Sequence, residues 1–150
     1  MGGRHRGVEV GPHHARMIVV DSSTWADFFN GALTPHVERL DAVLHEEEDL
    51  AVLPIIITEV LQGFRAEKSF QQAQRVLVAL PVIEPTVDCH VRAARLFRSL
   101  RKTGITVRGA IDCIIAQTCL DLKAELLSPD ADFEHIARHT SLRLWHETSG

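Results

Sequence analysis

No run of apolar residues in this 150-residue chain approaches the ~18 needed to span a membrane, so a bilayer-crossing segment is not expected. The first residues include Arg4 and Arg6 but no apolar stretch behind them, so a secretory signal is not expected. Cysteine is sparse: Cys89, Cys113 and Cys119 are odd in number and form no CxxC. They read as small core residues of a protein kept in a reducing compartment, and a cytoplasmic location is expected. Positive charge is also short, with 16 Lys+Arg against 20 Asp+Glu and a net charge of −4. No overall basic field advertises nucleic acid, so any such partner must be met by a local patch. P-loop, GxGxxG and GxSxG motifs are missing. So are internal repeats and any linker that would divide the chain into domains.

What remains is an ordinary globular composition, 45% hydrophobic and 24% charged, at a length typical of one domain. Residues 1–16, with four glycines, three histidines and a proline, show no periodicity. They are expected to be a disordered extension, with Met17 a candidate true start and 17–150 the folded domain. Met17-Ile-Val-Val then runs straight into Asp21-Ser-Ser-Thr. A continuous apolar run bounded by turn chemistry predicts a strand buried on both faces of a parallel sheet. Asp21 falls at its carboxyl end, the edge where open α/β sheets bind ligands. The plainer alternative is that Asp21 only caps the following helix.

Further strands are predicted over 50–53, 82–83 and 125–127, with a last edge strand over 142–145. Helices are predicted over 24–30, from Pro35, over 54–62, 69–80, 86–102 and 109–122, and from Asp132. Strands alternating with helices imply right-handed βαβ crossovers and one α/β domain, a parallel sheet with helices on both faces.

Four carboxylates stand out on that scaffold. Asp21 ends the first strand, Glu59 interrupts Ile55-Ile-Ile-Thr-Glu-Val-Leu61, Asp112 precedes Cys-Ile-Ile-Ala, and Asp130 follows the 125–127 strand, with Asp132 two residues on. Acids among apolar neighbours are costly unless paired or bound to a cation. Several oxygen ligands converging on one place suit Mg²⁺ or Mn²⁺.

The segments Ile18-Val-Val-Asp-Ser-Ser-Thr-Trp25, Pro54-Ile-Ile-Ile-Thr-Glu-Val-Leu-Gln-Gly63, Val107-Arg-Gly-Ala-Ile-Asp-Cys-Ile-Ile-Ala116 and Leu127-Ser-Pro-Asp-Ala-Asp-Phe133 occur in that order. Together they resemble the PIN-domain ribonucleases, and within them the VapC-type toxins of bacterial toxin–antitoxin modules. The resemblance implies a three-layer domain whose central parallel sheet has four to five strands. It implies a Mg²⁺-dependent endoribonuclease, with Mn²⁺ able to substitute, inhibited by a cognate VapB-type antitoxin and assembled as a homodimer. Carried over by position, the metal-binding and catalytic acids are Asp21, Glu59, Asp112 and Asp130, with Ser23 and Arg108 beside them. Pro129 is an unusual neighbour for Asp130 and leaves open whether Asp130 or Asp132 completes the cluster. Ser23 either orients a water or caps the helix, and Arg108 either holds a phosphate or is a surface arginine. The rival function is a PIN-like RNA- or protein-binding module without catalysis.

Other signals carry less. His135 and His139 have the spacing of a zinc pair, but no third ligand is near in sequence, and a surface pair is expected. Asp21-Ser-Ser-Thr is similar to the opening motif of haloacid-dehalogenase-type phosphatases, which need an aspartate where Ser23 stands. Arg92, Arg95, Arg98 and Arg101 form a row on the 86–102 helix. The row is solvated surface, an RNA backbone contact, or a seat for an acidic partner segment.

Overall fold

A computed structural model describes residues 17–46 and 49–145. The expected extension over residues 1–16 lies outside the described residues. Strand β1 (Met17–Val20) pairs in parallel with β2 (Asp49–Ala51) on one side and β3 (Glu125–Leu127) on the other. β3 in turn pairs in parallel with β4 (Arg143–Leu144), giving the order β2-β1-β3-β4. The apolar run of β1 is therefore interior: Ile18, Val19 and Val20 are all 0% exposed. The short β4 forms the expected edge. The strand predicted over 82–83 shrinks to a single bridge, Val52 to Val82, outside β2. Pro81 and Pro85 bracket those residues, and a proline has no N–H to extend a ladder.

Among the described residues seven helices flank the sheet: α1 (Ser22–Phe29), α2 (Pro35–His45), α3 (Pro54–Leu61), α4 (Glu67–Val78), α5 (Val87–Lys102), α6 (Ala110–Leu122) and α7 (Ala131–His139). Local chemistry sets their starts. Thr34 and Thr86 cap α2 and α5 by accepting from the N–H three residues on, while Pro35 and Pro54 occupy first-turn positions. α1 begins two residues earlier than the sequence suggests, because Asp21 itself caps it and accepts from the Thr24 N–H. At the far end of α6, Lys123 adopts a left-handed conformation at φ 54° and turns the chain into β3.

Trp25, 0% exposed, anchors α1 to the core. Its ring stacks on Phe29 at 5.7 Å and meets Phe28 edge-on at 5.9 Å, and Phe29 reaches Phe64 at 6.1 Å beyond the end of α3. α5 packs along α6, and α6 against α7 and β3. Arg92 joins α5 to α6: its guanidinium grips both Asp121 oxygens at 2.6 and 2.7 Å, and its Nε donates to Asp88 at 2.8 Å. That arginine is thus withdrawn from the basic row, whereas Arg95 and Arg98 remain exposed. The three cysteines are free and buried, as the sequence suggests.

Candidate metal centre

Every strand of a parallel sheet ends on the same edge, so the turns after β1 and β3 lie side by side. Asp21 follows β1 and its N–H donates to the Leu127 carbonyl at the end of β3, 3.1 Å away. The carboxylate of Asp21 is buried, 4% exposed, and well supplied with donors. Its Oδ1 accepts from the Thr24 N–H at 3.0 Å, and its Oδ2 from the Ser23 and Ser128 hydroxyls at 2.9 and 2.5 Å. Ser23 therefore contacts Asp21, which caps α1 with its other oxygen.

Ser128 was not singled out by the sequence. Its hydroxyl donates to Asp21 and accepts from the Asp130 N–H at 3.0 Å, so one side chain ties the β1 turn to the β3 turn. Downstream, Asp130 caps α7 by accepting from the Asp132 N–H at 2.9 Å. The cap turns both carboxyls toward the start of α6, where Asp112 lies in the first turn. Asp112, Asp130 and Asp132 each offer an oxygen within 4.8 Å of the others, and all three are half-buried. Asp130 and Asp132 thus both lie within reach of Asp112. Glu59, half-buried on α3, and Asp21 lie outside this trio but act on Asp112 through space.

The electrostatics follow from that crowding. Burial first, and then the charges of Asp130, Asp132, Glu59 and Asp21, together push the Asp112 carboxyl up to about 6. Like charges gathered in a half-dry site favour protonation unless a cation intervenes. Arg108 supplies only a loose counter-charge. It is 83% exposed, with Nη2 3.5 Å from Asp130 and Nε 3.9 Å from Asp132. Its backbone N–H holds Asp132 more firmly, at 3.1 Å.

The donor set fits a hard divalent cation. Three carboxylates in mutual reach, with no nitrogen or sulfur donor in the group, match the oxygen preference of Mg²⁺ or Mn²⁺. The histidine pair does not form a second centre: His139 Nδ1 bonds the His135 carbonyl oxygen at 3.0 Å, and among the described residues no metal-binding group includes either ring. His135 instead lines a small pocket beside Asp132.

Comparison with known proteins agrees with this architecture. The PIN domain family model matches residues 18–139. Ribonuclease VapC11 of Mycobacterium tuberculosis is 31% identical over 130 residues, covering 85% of this chain and 96% of that protein. A VapC ribonuclease of Mycobacterium bovis matches to the same extent. Among solved structures, VapBC2 of Rickettsia felis bound to a promoter DNA fragment superposes with a TM-score of 0.69 at 16% identity, covering 86% of this chain and 97% of that one. The VapC20 toxin of Mycobacterium tuberculosis, described as cleaving the sarcin–ricin loop, gives a TM-score of 0.62 at 15% identity, covering 78% and 92%. At those identities the structures speak for the fold, while the family model and the mycobacterial relatives speak for descent. The chain belongs to the PIN-domain family, in its VapC-type branch.

Proposed function

We propose that this protein is a metal-dependent endoribonuclease, the toxin half of a toxin–antitoxin pair, hydrolysing RNA phosphodiester bonds with water. The carrying observation is the Asp112–Asp130–Asp132 trio, joined through Ser128 to buried Asp21. Asp112, Asp130 and Asp132 would hold Mg²⁺, with Mn²⁺ able to replace it, and Asp21 and Glu59 complete the negative field. When bound, the cation supplies Lewis acidity for the phosphate and makes a water nucleophilic near neutral pH.

The chain's own groups do the rest. Ser23 and Ser128 fix the Asp21 carboxylate in one orientation. Asp130 holds Asp132 in place through the cap of α7. Arg108, exposed and only loosely held, is free to turn to a phosphate, whose oxygens a guanidinium matches in pairs.

The names of the relatives support this reading, as does the survival of all the acids. A purely RNA-binding module gains nothing from clustered carboxylates, which repel the backbone it must hold. The neighbours solved as VapBC complexes support a VapB-type antitoxin as partner. A homodimer and a cytoplasmic location belong to the same reading. Among the described residues no helix is long and apolar enough to cross a membrane.

The decisive experiment incubates purified protein with single-stranded RNA in EDTA, Mg²⁺ and Mn²⁺. Cleavage is expected with either metal and not in EDTA, and Asp21→Asn is expected to remain folded and inactive. Equal cleavage in EDTA, or a fully active Asp21→Asn, overturns the mechanism.

A further inference from the structure

The connection from α5 to α6 passes close to the acid trio and leaves a pocket there. Gly104, at φ +87°, lets the chain leave α5 sharply, with its N–H on the Arg101 carbonyl at 3.0 Å and the Ile105 N–H on the Leu100 carbonyl at 2.9 Å. Gly104, Ile105 and Thr106 then face Asp132 and His135 of α7 across a cavity of about 190 Å³. Asp132 is therefore a wall shared by this cavity and the candidate metal centre.

The lining is suited to a hydroxyl. Thr106 is exposed, and its Oγ1 has no hydrogen-bond partner among the described residues, so it can both donate and accept. His135 Nδ1 lies 3.4 Å from the Arg138 guanidinium, which can only donate. Nδ1 is then the acceptor, and the neutral ring carries its proton on Nε2, leaving a donor. An acceptor-donor pair at the edge of a phosphodiester-hydrolysing centre matches the 2′-hydroxyl of RNA, itself both donor and acceptor. A phosphodiester carries a sugar on each side, so a strand whose phosphate meets the trio must place a sugar next to it.

We propose that the Gly104–Thr106/His135 pocket binds the ribose of a nucleotide adjoining the acid trio, with Thr106 and His135 meeting its 2′-hydroxyl and so selecting RNA over DNA. The proposal rests on the reading of the trio as the centre where the strand is held.

The test is equilibrium binding by fluorescence anisotropy, in Ca²⁺, of labelled oligouridylate against oligodeoxyuridylate of equal length. Thr106→Val keeps shape and removes the hydroxyl; His135→Phe keeps a ring and removes the donor. Wild type should prefer the ribo strand by about threefold to tenfold, the effect of one hydrogen bond. Each variant should narrow that preference while keeping the wild-type affinity for the deoxy strand and the wild-type thermal shift with Mn²⁺. Equal binding of both strands by wild type, no binding of either, or a preference undiminished in both variants overturns the proposal. Cleavage assayed in parallel in Mg²⁺ separates the two readings. Sugar discrimination without any cleavage would sink the nuclease and leave the ribose pocket standing.

Discussion

Helix α6 carries an aspartate–arginine cluster at each end, and the two have opposite electrostatics. At its last turn Asp121 meets Arg92 in a two-pronged contact, with Asp88 and Gln117 completing the set. Arg92 holds the Asp121 carboxyl below its ordinary range, and the two acids hold the guanidinium's proton more tightly in return. At its first turn Asp112 meets Asp130 and Asp132, with Arg108 at a distance, and its carboxyl is pushed up. The first cluster is balanced and closes a helix–helix joint. The second keeps an excess of negative charge that a proton on Asp112 or a bound cation could relieve. Opposite responses to the same residue types distinguish a closed structural joint from a cluster that could hold a metal.

The largest effect should come from breaking the second cluster. Asp112→Asn is expected to lower metal-dependent RNA cleavage by roughly a hundredfold or more, since even groups that merely orient a ligand cost 10–100-fold. In EDTA the same variant should melt no lower than wild type, and higher if repulsion dominates, because one of the mutually repelling charges is gone. An Asp112→Asn protein that cleaves normally would place the centre elsewhere.

Acidity offers a second separation. The folded Asp112 titrates near 6 against an ordinary 3.8, so the folded state keeps a proton that the unfolded chain has lost. This group favours folding in acid, and that contribution disappears as pH rises from about 4 to about 6. Asp121 has the reverse sign: its lowered pKa favours folding above the ordinary value and fades as pH falls. Thermal melts in EDTA should therefore show Asp112→Asn flattening the loss between about pH 4 and 6, and Asp121→Asn weakening the protein from about pH 4 upward. Added Mn²⁺ should stabilise wild type increasingly as pH rises through 6, because the ligands must be deprotonated to bind it.

Breaking the first cluster should cost stability and leave the chemistry alone. Arg92→Ala is expected to lower the melting temperature modestly while kcat in saturating Mg²⁺ stays at the wild-type value. The double variant Arg92→Ala/Asp121→Ala should lose less than the sum of the single losses, as partners in one contact do. A kcat defect in Arg92→Ala would tie the joint to the site.

The smallest effect concerns the exposed remainder of the basic row. If Arg95 and Arg98 touch the RNA backbone, replacing both by Ala should reduce the salt slope of single-strand binding by about 1.4, at about 0.7 per phosphate. An unchanged slope in a titration of affinity against salt makes them solvated surface or part of the antitoxin seat.

Much of this was visible in the residues. The apolar run of β1 and its terminal Asp21 gave the central strand because nothing polar interrupts it. Asp112 and Glu59 stood out because each breaks an apolar helix at a cost that needs explaining. Less visible was whatever depends on turn geometry. Asp130 and Asp132 both reach Asp112 because Asp130 caps α7, and no spacing rule shows that both would. Ser128 looked like an ordinary turn residue, yet its partner Asp21 is 107 positions away. Arg92 shared a helix face with Arg95 and Arg98, and only the packing of α6 set it apart. The 82–83 strand failed because flanking prolines leave too little ladder to hold it.

The bond from Ser128 to Asp21 also puts a clock on the protein. The first acid is made early and the last, Asp132, 111 residues later. At about 5–20 residues per second of translation, the site stays incomplete for roughly 6–22 s of synthesis. A ribosome making this chain carries only parts of the acid centre until β3 and the start of α7 have emerged and docked against β1 and α6. The sheet order thus postpones assembly of the acid cluster until the chain is nearly folded.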